Sequence, residues 1–282
     1  MDGKDNKIES NNFINVSGNL LDLSKKQVMG IINVNNDSFY DGSRRTSVEQ
    51  AVKAVEVQIE QGADIIDLGA ISTRPNADLE STEVEVSRLL PVLKEVRRLF
   101  PDLIISVDTF RSDVADQAIG EGADIINDVY GGRYDGQMFS LIAKHKVPYI
   151  LMHSRGFSQD MMELTSYQNV VNDVIHELSN SISELRDLGV KDIIIDPGFG
   201  FAKNIDQNYE LLHGLDQFSI LDVPVLAGLS RKSMIYKKLD VDPREALNGT
   251  TILNTLAVLK GASILRVHDV KQAKEVITLL EN

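Results

Sequence analysis

A chain of 282 residues, 43% of them hydrophobic, is long enough for one large core, and its formal net charge of −13 argues against nucleic acid as a partner. It has no Cys, which excludes disulfides, thiol catalysis and thiolate-bound metals, and no Trp, which disfavours a stacking platform for single strands. No apolar run approaches the roughly 20 residues of a membrane span, and residues 1–5 have no apolar stretch of signal type, so a soluble cytoplasmic protein with no membrane partner is expected.

Residues 1–26 are polar and Asn-rich. Within them, 13–16 and 20–23 flank Ser17-Gly18 as a small hairpin laid across the base of the main fold would. From Lys26 onward, short apolar runs alternate with amphipathic segments. We therefore divide the chain into an N-terminal extension, 1–26, and a single domain, 27–282. The helical segments are expected at 47–61, 80–100, 111–121, 137–144, 168–188, 207–212, 244–260 and 270–280, where apolar residues recur three or four apart. The runs between them are continuously apolar, as suits parallel strands buried on both faces.

Each run stops on a polar group. In chain order these are Asn33, Asp67, Asp108, Asn127, His153, Asp196, Ser230-Arg231-Lys232 and Arg266-Val267-His268. Eight alternations of strand and helix favour a closed (β/α)₈ barrel of the α/β class over an open sheet. In such a barrel the strand ends face one site, and the loops that follow them build it. On the other side, Gly62, Gly122 and Gly261 stand in near-copies of one motif, Gly-Ala-(Asp/Ser), where a helix should end in a left-handed cap.

Among the strand-end acids, Asp108 precedes Thr109, a better cap for the helix from Arg111, and Asp196 precedes a loop with no immediate helix. Two unpaired acids and Asn127 facing one cavity suit a fused heterocycle with several N–H donors, because a carboxylate accepts two of them side by side. Lys232, Arg231, Arg266 and His268 supply cations where barrels often bind phosphate, and Ser233 opens a helix whose N-terminus adds backbone donors. The loops 35–43 and 70–77 are polar and rich in turn residues, as a lid would be. Asp67 and His153 fit the pattern without an assignable role.

These residues resemble a known family. Met29-Gly30-Ile31-Ile32-Asn33-Val34 with Asp37-Ser38-Phe39 and Asp41-Gly42 is similar to the first signature of the dihydropteroate synthases, and Ser72-Thr73-Arg74-Pro75 resembles their second loop. The likeness continues through Ser106–Phe110, Ile126–Val129, Met152-His153, Asp196–Phe201, Ser230–Ser233 and Arg266–Val270, in family order. The resemblance implies an enzyme of folate synthesis, a transferase. It would join 6-hydroxymethyl-7,8-dihydropterin pyrophosphate to para-aminobenzoate, giving 7,8-dihydropteroate and pyrophosphate. By that likeness Asp108, Asn127, Asp196, Lys232 and Arg266 bind the pterin. Asn33, Arg266 and His268 hold the pyrophosphate, with Mg²⁺ at Asn33. Phe39, Thr73, Pro75, Lys232 and Ser233 shape the para-aminobenzoate site. Asp41 and Arg74 belong to closing loops and count, with Asp108, Asp196 and Lys232, as catalytic. A homodimer and competition by sulfonamides are also implied.

The chain departs from the family pattern at Asn35, Asn36, Ala70, Ile71 and Asn76, all on the lid side. Two other readings stand beside the synthase. A pterin-binding methyltransferase module would share the Asp/Asn/Asp set but has no need of the cations. A catalytically dead pterin-binding scaffold is compatible with the altered lids.

Overall fold

A computed structural model describes residues 12–34, 44–72, 79–158 and 160–281. The chain opens with β1 (Phe13–Val16) and β2 (Asn19–Asp22), an antiparallel pair turning at Ser17-Gly18. The barrel strands are β3 (Gln27–Asn33), β4 (Ile65–Gly69), β5 (Ile104–Asp108), β6 (Ile125–Asp128), β7 (Tyr149–Met152), β8 (Ile193–Asp196), β9 (Leu226–Ala227) and β10 (Ile264–Val267). Between and after them run α1 (Arg44–Glu60), α2 (Thr82–Leu99), α3 (Ser112–Gly120), α4 (Met138–His145), α5 (Val170–Asp187), α6 (Ile205–His213), α7 (Ser233–Leu239), α8 (Leu247–Leu259) and α9 (Val270–Leu280).

The eight strands are all parallel, in the order β8-β7-β6-β5-β4-β3-β10-β9. A parallel bridge between Ile195 and Val225 joins the two ends, so the ring closes at one thin seam. The expected (β/α)₈ barrel and N-terminal hairpin are both present. Ile14, Val16 and Leu23 of the hairpin region are buried with Met29, Ile65, Ile125, Ile150, Ile194, Leu226 and Ile264, which are strand residues far from the polar ends. The hairpin therefore covers the barrel floor. Two bonds fix it there, Asn15 N–H to Asp192 Oδ1 at 2.7 Å and Ser17 Oγ to Asp124 Oδ1 at 2.7 Å. The larger apolar cluster lies between strands and helices, as a barrel requires.

Gly62, Gly122 and Gly261 have φ of +95°, +97° and +99°, the left-handed helix ends expected of them. Most helix starts fall within three residues of expectation, and two of the shifts have a visible cause. α3 begins at Ser112, because Arg111 is extended (φ −109°, ψ 123°) and its guanidinium is bound to Glu85. Thr109 does not cap that helix. It donates to Glu85 Oε1 at 2.6 Å, and Asp135 Oδ2 accepts from Ser112 N–H at 2.8 Å instead. The segment expected at 244–260 is split, because Asp242, Pro243 and Glu245 form a capped 3₁₀ turn before α8 starts. Among the described residues, no helix is long and apolar enough to cross a membrane.

Candidate active site

The strand register brings the polar ends together. Asp67 lies opposite Ser106, Gly69 opposite Asp108, Asp108 opposite Asn127, and Met152 opposite Asp196. On one side of the ring, Asp67 is the hub. Its Oδ1 accepts from Ser106 Oγ at 2.7 Å, and its Oδ2 accepts from Asn127 Nδ2 at 3.1 Å and Arg266 Nε at 2.6 Å. A second arm of the Arg266 guanidinium donates to Asp108 Oδ2. Two carboxylates thus share one guanidinium, and the ionised trio carries a net charge of −1. Burial raises the Asp108 carboxyl to about 7, with Asp67 adding to the rise and Arg266 opposing it. Burial alone would lower Arg266, but Asp67 and Asp108 hold its guanidinium well above the ordinary range.

On the other side, Asp196 is 3% exposed and accepts from Gly198 N–H at 2.8 Å. Burial raises its carboxyl, against the attraction of Lys232. Burial lowers Lys232 to about 8, with Asp196 opposing. The Lys232 ammonium donates to Phe199 O and lies 4.8 Å from the centre of the Phe201 ring. Asp196 also bears electrostatically on Arg266, and Asp108 on Lys232, so both sides share one site.

Asp108, Asn127, Asp196, Lys232 and Arg266 therefore converge as the sequence reading expected. Three details correct it. Asp108 is not an unpaired acid, because it is bound to Arg266. Arg266, grouped in the sequence with the phosphate-binding cations, sits among the acids. Arg231 is not a site cation, because with φ of +53° its guanidinium turns to Asp269, at 2.8 and 2.9 Å, and to the carbonyls of Pro243 and Arg244.

His268 is exposed at the end of β10, its ring Nδ1 3.0 Å from Ser230 Oγ. Asn33 is exposed at the end of β3, and Ser233 is half-buried at the start of α7. Phe39, Asp41, Thr73, Arg74 and Pro75 lie outside the described residues, as do Asn35, Asn36 and Asn76. Of the lid departures that are described, Ala70 is buried with its carbonyl near Arg88 Nη1 at 3.4 Å, and Ile71 packs with Phe110, Tyr130 and Met152.

The sequence reading missed three charged groups near the site. Glu85 is buried against Arg111 and Thr109. Glu177 accepts from Arg155 and Arg133 and faces His153. Lys203 is 2% exposed beneath the loop that follows Asp196. A lysine closing the apolar stretch 197–202, with no acid beside it in sequence, is the one signal that was available for Lys203.

Comparison with known proteins agrees with this geometry. Residues 29–268 match the model of a family described as pterin binding enzyme. The dihydropteroate synthase of Streptococcus pyogenes serotype M6 is 43% identical over 257 residues, covering 90% of this chain and 94% of that protein. A Xanthomonas albilineans dihydropteroate synthase solved with 4-aminobenzoic acid superposes with a TM-score of 0.89 at 37% identity, covering 96% and 97% of the two chains. A Yersinia pestis dihydropteroate synthase in a sulfonamide drug complex gives 0.89 at 35% identity, covering 95% and 98%. With matches of that depth over nearly its whole length, and with the Asp/Asn/Asp strand ends in place, this chain belongs to the pterin-binding enzymes and, among them, to the dihydropteroate synthase family of transferases.

Proposed function

We propose that this synthase joins the methylene of 6-hydroxymethyl-7,8-dihydropterin pyrophosphate to the amine of para-aminobenzoate, giving 7,8-dihydropteroate and pyrophosphate by a dissociative route. The observation that carries the reading is the convergence of Asp108, Asn127, Asp196, Lys232 and Arg266 at the strand ends of a barrel in this family. With Nδ2 held by Asp67, Asn127 turns Oδ1 to a ring donor, and the Asp196 carboxylate accepts a pair of pterin N–H groups.

The C–O bond to pyrophosphate breaks first, and its electron pair leaves with the pyrophosphate oxygen. The positive charge left on the methylene spreads into the pterin ring, close to the net-negative trio of Asp67, Asp108 and Arg266. Fixed charges in a dry site stabilise such a charge without having to reorient. The aryl amine then forms the new C–N bond and releases its proton. Asn33, Arg266 and His268 are assigned to the pyrophosphate. Phe39, Thr73, Pro75, Lys232 and Ser233 are assigned to para-aminobenzoate, with Asp41 and Arg74 in the closing loops that exclude water.

The Asn33 amide oxygen is a hard donor of the kind Mg²⁺ takes, exposed at a strand end where pyrophosphate oxygens and water would complete the shell. The metal would neutralise leaving-group charge. Sulfonamides should compete at the para-aminobenzoate side.

We further propose a homodimer formed through α8, whose Ile252 and Leu259 are 58% and 68% exposed, beside Leu239, which is 55% exposed. Sedimentation velocity at micromolar concentration checks this. We place the enzyme in the cytoplasm, which cell fractionation checks. The decisive assay for function couples pyrophosphate release to a colour reaction. Release should require both substrates, and its absence with both present overturns the reading.

A further inference from the structure

Residues 198–202, which follow Asp196, form an unusual stretch of backbone. Gly198, Gly200 and Ala202 all take left-handed conformations, with φ of +73°, +80° and +48°. At Gly198 there is no alternative residue, because an added Cβ would lie 1.9 Å from the carbonyl oxygen of His153. Ala202 has a Cβ and bears the strain of that region. Such a segment keeps its shape only where its surroundings over-determine it.

Lys203 supplies much of that determination. Its Nζ lies 3.0 Å from Gly198 O, 3.0 Å from Phe201 O and 3.0 Å from His153 Nδ1. The other ring nitrogen of His153, Nε2, lies 3.1 Å from Glu177 Oε2. A carboxylate can only accept, so Nε2 carries the hydrogen and Nδ1 is a bare acceptor. Lys203 must then donate, and an ammonium has three donors for its three acceptors. Burial, aided by Lys203, lowers His153 to about 3, which keeps the ring neutral. The two carbonyls held by Lys203, of Gly198 and Phe201, bound the stretch that meets Lys232, since Phe199 O accepts from Lys232 and the Phe201 ring lies under its ammonium.

We infer that Lys203, oriented by His153 and Glu177, is a positioning residue that holds the 198–201 backbone in the shape needed to aim Lys232 at the pterin. Lys203 is too enclosed to meet substrate itself, and it acts through Lys232. This inference rests on the pterin reading of the site.

The test is a double-mutant cycle read by calorimetric binding of the dihydropterin pyrophosphate, well below each variant's melting temperature. Lys203→Met should weaken binding about tenfold, Lys232→Met more, and the double variant no more than Lys232→Met alone. A merely structural Lys203 lowers the melting temperature but leaves the affinity of the folded protein intact, and that result overturns the inference, as does additivity in the cycle. If Lys203→Met does not fold, His153→Phe takes its place in the cycle. It orphans one Lys203 donor and should cost several-fold, again only when Lys232 is present. Asp196→Asn separates the two readings. If it weakens binding and Lys203→Met does not, only the inference fails. If wild type does not bind the pterin, both fail.

Discussion

Asp108 meets an arginine, whereas Asp196 meets lysines. On the Asp108 side every partner is a strand residue, and the cation, Arg266, stays charged at any working pH. On the Asp196 side the cations sit on or against a strained loop, and burial brings both down, Lys232 to about 8 and Lys203 to about 7. On one side an acid titrates beside a permanent cation. On the other the cations themselves give up protons. Both hold a carboxylate at a strand end, so carboxylates alone do not reveal what each side does. Their neighbours do.

The comparison breaks most directly at Asp67. Asp67→Ala leaves Arg266, Asn127 and Ser106 with buried, unmet donors and should cost about 3–5 kcal/mol of stability, read from the shift of a urea unfolding curve. A shift within error would mean that Asp67 is not the hub of its side. On the other side, Asp196→Asn keeps the shape but loses the charge that accepts paired N–H groups. Calorimetry should show pterin affinity falling about a hundredfold, roughly 2.7 kcal/mol, with little change in urea midpoint. Near-normal affinity would count against the pterin assignment.

The pH profile sharpens the contrast. Asp108 must ionise, which burial delays to about 7, and Lys232 must keep its proton, which burial lets go at about 8. kcat/KM should therefore trace a narrow bell with its acid limb from one side and its alkaline limb from the other. Lys232→Arg should move the alkaline limb upward by more than one pH unit and leave the acid limb in place. An unmoved alkaline limb would assign it elsewhere.

Stability follows the same groups with opposite signs. Between 3.8 and about 7 the folded state keeps an Asp108 proton that the unfolded chain has released, so this group's contribution to stability falls as pH rises through that window. Between about 8 and 10.5 the folded state lacks a Lys232 proton that the unfolded chain holds, so that contribution rises with pH.

The smallest effect is expected outside the site. Arg231→Met breaks the pair with Asp269 and should cost about 1–2 kcal/mol, discounted for partial exposure, with kcat/KM within about threefold of wild type. A hundredfold loss would return Arg231 to the site.

Much of the fold was legible because it rests on local pattern. Apolar runs, helical spacing and the glycines at helix ends each need only a few adjacent residues, and Asp108, Asn127 and Asp196 were visible because each ends such a run. What escaped depended on distance along the chain. Arg266 and Asp67 are 199 residues apart, and Lys203 and His153 are 50 apart. Asp67 was seen at its strand end, but its role needed its three donors, each from a different strand. Arg231 misled for the same reason. Beside Lys232 in sequence, it follows its own left-handed backbone away to Asp269.

The seam of the barrel has a mechanical consequence. Between β4, β5 and β6, around Asp108, the strands pair along their length, whereas β9 is two residues long and reaches β8 through the single bridge of Ile195 and Val225. A ring under thermal motion parts first where fewest bonds cross it. Breathing would therefore part the strand ends beside Asp196 and spare Asp108, and amide hydrogens near 195 and 225 should exchange with solvent sooner than those of β5.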